Sequence, residues 1–214
     1  MFLKKYGFYF MIIAILSELI LPFILGSFII DFSHTKTLIS RLGEAEGIIK
    51  IIFKIWEIIN GLLFFMSIPA FFERFKKVSE KLAKCLCFTI ILFGLGDCIL
   101  TGLFDSSMMD FGYIKIGKLI HGSSAFIAYI GILVGVLLLI KLYMLEGNRD
   151  MAIAIMVLFI ITGVFMLLFA APKISMLKSI TINYRGLWQK LALLFAFSPF
   201  LLVSINEVIS RKIQ

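Results

Sequence analysis

The stretch from Met151 to Ala171, MAIAIMVLFIITGVFMLLFAA, carries no charged side chain. A segment of that kind constrains this chain more than any other feature. About 18–20 consecutive apolar residues are what a helix needs to cross the hydrocarbon core of a bilayer. Five more stretches fit the description: Tyr6–Ile30, Ile48–Phe72, Leu82–Phe104, Leu119–Tyr143 and Leu187–Ile209. The chain is 61% hydrophobic, with a mean hydropathy of +1.07 and 23 phenylalanines. A soluble domain of 214 residues has no way to hide that much apolar surface. The expectation is an all-α fold: a polytopic membrane helix bundle with six transmembrane helices, forming a single domain over residues 1–214.

The first segment opens MFLKKYGFYF, with the charged start of a signal peptide. Its apolar run is too long for a signal core, includes Glu18 and offers no small-x-small cleavage site, so it reads as a retained helix. Basic residues then orient the bundle. One face holds 11: Lys4, Lys5, Arg74, Lys76, Lys77, Lys81, Lys84, Lys141, Arg149, Arg211 and Lys212. The other holds 8: Lys36, Arg41, Lys115, Lys118, Lys173, Lys178, Arg185 and Lys190. This bias favours both termini in the cytoplasm of a cell-membrane protein. The net charge of +8 fits membrane lipids as partners and requires no nucleic acid. A basic side chain beside anionic headgroups adds about 1 kcal/mol of attraction.

Within this apolar background, GDCILTGLFDSSMMDFGYIKIGKLIHGSS (Gly96 to Ser124) stands out. An ionisable residue at membrane depth is by default a functional hypothesis. Asp97, Thr101 and Asp105 are spaced i, i+4, i+8 along one stripe of the third segment, and His121 opens the fourth at the same face. Arg41 and the pair Gln189–Lys190 approach from other connections on that side. The set Asp97, Asp105, His121, Arg41, Gln189 and Lys190 is therefore the expected ligand-binding group, in the outer half of the bundle. The plainer account has Asp97 joining helices through hydrogen bonds to Asn60 or Thr101. Glu18 and Glu57 raise the same question, with Glu57 expected to face the bundle.

Several fragments occur in a telling order: ISRLGEAEG before the second segment, NGLLFF within it, GLGDCILTGLFD closing the third, HGSSAF opening the fourth and GLWQKL opening the sixth. This resembles the six-helix membrane proteins of bacteria and archaea grouped as domain of unknown function 998. Ser40, Leu42, Gly43, Gly102, Phe104, Asp105, His121, Gly186 and Gln189 hold the places of that family's motifs. The chain departs from them at Asp105 or Ser106, where proline is usual, and at Lys190, where arginine is usual. Lysine keeps the charge but loses the bidentate fork. The resemblance implies fold and membrane location.

Other chemistry finds less support in the sequence. His34 and His121 with Asp105, Asp110, Glu44 and Glu46 lack any HxxxH or HxxE spacing, so no metal site is assigned, and no cofactor. Ser106, Ser107, Ser123 and Ser124 flank the acid and histidine without a nucleophile elbow. Cys85, Cys87 and Cys98 make neither a disulfide framework nor a four-ligand zinc site and read as small apolar filler. Three functional readings follow. The first is a polar pocket in the outer half of the bundle that takes a lipid headgroup. The alternative is a membrane-embedded lipid hydrolase or transferase with Asp105 and His121 as its acid/base pair. The third is a small transporter.

Overall fold

A computed structural model describes residues 1–104, 116–171 and 182–213. Among these residues six helices are long and apolar enough to cross a membrane. They are α1 (Phe2–Gly26), α2 (Gly47–Phe75), α3 (Glu80–Leu103), α4 (Ile116–Glu146), α5 (Arg149–Ala170) and α6 (Arg185–Ile213). Each helix packs on its neighbours in sequence, and α6 returns to α1, which closes a six-membered ring. The protein is a multi-pass membrane helix bundle. Its two described termini share one end; the opposite end is called distal below.

Lipid tails are as apolar as leucine, so burial against a neighbouring helix gains little by the hydrophobic effect. Close packing and interhelical hydrogen bonds hold such a bundle. Small residues provide the closeness. A Cβ added at Gly7 would meet Ala70 Cβ at 2.6 Å, and one at Gly61 would meet the Gly94 carbonyl oxygen at 2.6 Å. Gly131 and Gly135 face Leu92 and Thr89 of α3, with Phe200 of α6 also against Gly135, so this pair serves packing within the chain. A layer of fully buried rings fills the middle. Phe93 meets Phe64 and Phe197 edge to face, each at 5.0 Å, and Phe71 contacts Phe8 at 5.1 Å. Such ring pairs contribute about 0.5–1.5 kcal/mol beyond area burial.

The terminal end is closed by Arg74. Its guanidinium pairs with Glu146 of α4 at 2.8 Å and with Glu207 of α6, and lies over the rings of Phe75 and Tyr143. One cation thus joins three helices.

Two local features shape the distal end. First, α1 stops at Gly26 rather than continuing to Ile30. The chain turns there and folds the rings of Phe32 and His34 back onto Gly26, where a Cβ would lie 2.6–2.8 Å from them. The following segment is largely half-buried. Its 3-10 helix, Ile39–Glu44, inserts Ile39 and Leu42 into the core. Second, Gly94–Leu100 of α3 is a π-helix. Gly94, Gly96 and Gly102 bring this stretch against α2 and α4, facing the backbone or Cβ of Gly61, Ser124 and Glu57 in turn. Wide turns of this type recur at functional sites.

Candidate functional site

The π-helical stretch delivers Asp97 to a polar cavity of the distal half. This space of about 420 Å³ is lined by Glu18, Glu57, Asp97, Thr101, His121 and Gln189 among its polar groups. Its apolar wall includes Phe53, Phe126, Ile130, Leu133, Met166 and Phe169. None of the described residues lining it is Lys or Arg. Phe126 and Ile130 are 65% and 46% exposed, so the wall formed by α4 continues onto the lipid-facing surface.

The acids are held from α1, α2 and α3. Asn60 Nδ2 donates to Glu18 Oε2 at 2.5 Å, and Ser17 donates to Asn60 Oδ1 at 2.9 Å. This relay fixes the orientation of the Glu18 carboxylate. Asn60 therefore serves Glu18, where the sequence offered it to Asp97. Thr101 donates to the backbone oxygen of Asp97 and ties down the turn that carries it. Glu57 is only 5% exposed, yet its Oε2 has no hydrogen-bond partner among the described residues. An unpaired buried oxygen of this kind costs about 1–3 kcal/mol. Cys98 is fully buried on the same turn as Asp97, and its Sγ lies within 4.8 Å of carboxylate oxygens of both Glu18 and Glu57.

The remaining expected site residues divide into two groups. His121 lines the cavity, and its Nδ1 lies 3.2 Å from the Phe104 carbonyl, joining the start of α4 to the end of α3. Gln189 also lines it, while its Oε1 accepts from the Ile39 amide at 2.9 Å and fixes the start of the 3-10 helix. Lys190 is buried on the other side of α6. Its ammonium donates to the carbonyls of His34, Thr37 and Gly186 at 3.0, 3.2 and 3.4 Å. It borders a smaller cavity of about 150 Å³ between α1 and α6 that Glu18 also borders. Arg41 points outward and pairs with Glu44 at 2.5 Å. Asp105 lies outside the described residues.

The motif fragments at residues 39–44 and 186–190 thus meet in space. The Leu187 amide donates to the Thr35 carbonyl at 2.9 Å, and Gly186 packs so closely on Thr37 that a Cβ would meet its carbonyl oxygen at 2.3 Å. His34 sits in this latch, stacked on Phe23 at 5.0 Å and edge-on to Phe32. Burial, together with the Lys190 ammonium, lowers its pKa from the ordinary imidazole value.

Fold and site together define a polytopic membrane protein with an acid-lined cavity inside one half of its helix bundle. The family model described as protein of unknown function (DUF998) matches residues 12–206, and the chain belongs to that family. No curated protein and no solved structure matches it.

Proposed function

We propose that the distal cavity binds the headgroup of a membrane lipid, with the acyl portion passing along α4 into the bilayer. The observation that carries this reading is the cavity's two-sided make-up. Acid, amide, hydroxyl and imidazole groups occupy its interior, and its apolar wall merges with exposed Phe126 and Ile130. A site lined in that way takes an amphipathic molecule from the side, with few polar groups setting its orientation. The volume of about 420 Å³ lies within the range of small-molecule sites. Lys141, Arg149 and the other basic residues on the terminal side support placing the termini in the cytoplasm, so that the cavity opens in the outer leaflet.

The transporter reading draws less support. Phe64, Phe93 and Phe197 are fully buried one to two turns below the acids, between them and the Arg74 cluster.

The test is mass spectrometry of lipids that survive purification in mild detergent, on the parent and on Ala125→Trp, which places an indole in the cavity. One lipid class enriched over the bulk membrane, and depleted in a folded Ala125→Trp variant, supports the reading. An unenriched profile that is the same in both proteins refutes it.

A further inference from the structure

The headgroup reading leaves the deepest part of the site unexplained. Glu18, Glu57 and Cys98 come from three helices and bring two carboxylates and one sulfur within 4.8 Å of one another. All three residues are buried. An ionised acid at membrane depth is costly, so acids placed together inside a bundle need an offsetting charge or a proton. A proton shared between the two carboxyls would offset one charge and partner Glu57 Oε2, but would leave the buried Cys98 sulfur beside them unused. A positive ion seated between the carboxylates meets both requirements and engages the sulfur as well.

From this geometry we infer that Glu18, Glu57 and Cys98 form a divalent metal site of the zinc class at the base of the cavity. The donor set decides the class of ion. Two carboxylate oxygens with a thiolate suit a borderline-soft ion that accepts mixed ligands, whereas magnesium and calcium select oxygen alone. The surroundings are those of a built site. The Ser17–Asn60–Glu18 relay orients one ligand, as outer partners do around bound metals. Gly61 lets α2 approach so closely that a Cβ there would lie 3.1 Å from Cys98 Cβ, and this approach brings the sulfur to Glu57. Three protein ligands leave a fourth position on the side of the cavity that Glu18 and Glu57 line. Binding requires loss of the Cys98 thiol proton, which is released to solvent as the metal–sulfur bond forms. Affinity therefore rises with pH.

The experiment is a titration of chelator-stripped, detergent-purified protein with Co²⁺, followed by competition with Zn²⁺. The expected result is one Co²⁺ per chain, visible absorption bands of a low-coordinate site and a near-ultraviolet sulfur-to-cobalt charge-transfer band, all displaced by Zn²⁺. Cys98→Ala should abolish the charge-transfer band. Asn60→Ala should weaken binding about 10–100-fold, as the loss of an outer partner does. Thermal melts identify any variant that fails to fold, and the parent titration decides the matter without variants. Absence of saturable Co²⁺ binding by the parent, or a charge-transfer band unchanged in Cys98→Ala, overturns the inference. Either result leaves lipid retention unaffected, so the metal site and the headgroup reading fail separately.

Discussion

Gly61→Ala is the most searching single change to the packing that builds the site. The new methyl would lie 2.6 Å from the Gly94 carbonyl oxygen and 2.7 Å from Ile99 Cγ1, where ordinary contact begins at 3.4 Å. A carbonyl within a helix cannot swing aside, so α2 and α3 must separate by several tenths of an ångström. Overpacking of this sort costs about 1–3 kcal/mol. Replacing glycine by alanine within a helix returns roughly 0.5–1 kcal/mol. The net expectation is a loss of about 1–2 kcal/mol. Gly163→Ala in α5 is the matched control, because nothing lies within 4 Å of a Cβ there and only the favourable contribution remains. Thermal or denaturant unfolding in one detergent should rank Gly163→Ala at or above the parent and Gly61→Ala below it. Equal stability of the two variants would show that α2 and α3 are not in backbone contact at Gly61, and the geometry of the acid site would be wrong with it.

Other changes test the remaining structure. Arg74→Ala should cost about 2 kcal/mol in the same assay, a value below that of a fully buried pair because solvent reaches these side chains; an unchanged melt would mean that the three-helix clamp contributes nothing. Lys190→Met leaves three carbonyls without their donor and should cost on the order of 1.5–3 kcal/mol, with faster proteolysis at Lys36 as a second readout. Because the folded state resists protonation of His34, the unfolded chain binds more protons as pH falls below about 6.5. The melting temperature should therefore decline below that pH, and His34→Gln should decline less; parallel pH profiles would remove His34 as the cause. For topology, cysteines placed at exposed Lys36 and Lys77 in a background free of the three native cysteines should label from outside only at position 36. Labelling at position 77 alone would invert the bundle.

The fold was legible because a membrane leaves so few choices. Six long apolar runs can only be six helices in lipid, and their observed limits differ from the sequence reading by a few residues. The early end of α1 arises from the rings of Phe32 and His34 closing over Gly26, a tertiary contact without local signal. Part of the cavity's lining was legible too. Asp97 and Thr101 share a stripe, and both line the cavity. The sequence reading left Glu18 and Glu57 as separate questions and treated Cys98 as filler. What joins them is the π-helical phase of Gly94–Leu100, which rotates Cys98 toward the carboxylates. Periodicity arguments assume 3.6 residues per turn and cannot foresee that rotation. Arg74 was missed for a different reason. Counted as one charge in a cytoplasmic cluster, it gave no sign that acids 72 and 133 residues away would converge on it.

The bundle therefore assigns different work to its two ends. At the terminal end a cation is matched by two carboxylates over aromatic rings, an arrangement that leaves little reason for anything else to bind. At the distal end acids gather in a cavity with no Lys or Arg among its described lining residues, beside a helix wound in its less common form and under a loop latched by Lys190 and Gln189. A π-turn and an unpaired Glu57 oxygen both reduce stability, and they persist only where surrounding contacts fix them. Here the fixing contacts are the glycine approaches of α3 to α2 and α4 and the ring layer beneath. If those acids had only a packing role, Glu57→Gln would remove a costly charge and leave the protein as stable or more so, with lipid and metal retention unchanged. If they serve a ligand, the same variant gains stability while losing what the parent retains. Measuring both quantities on one preparation separates the two roles.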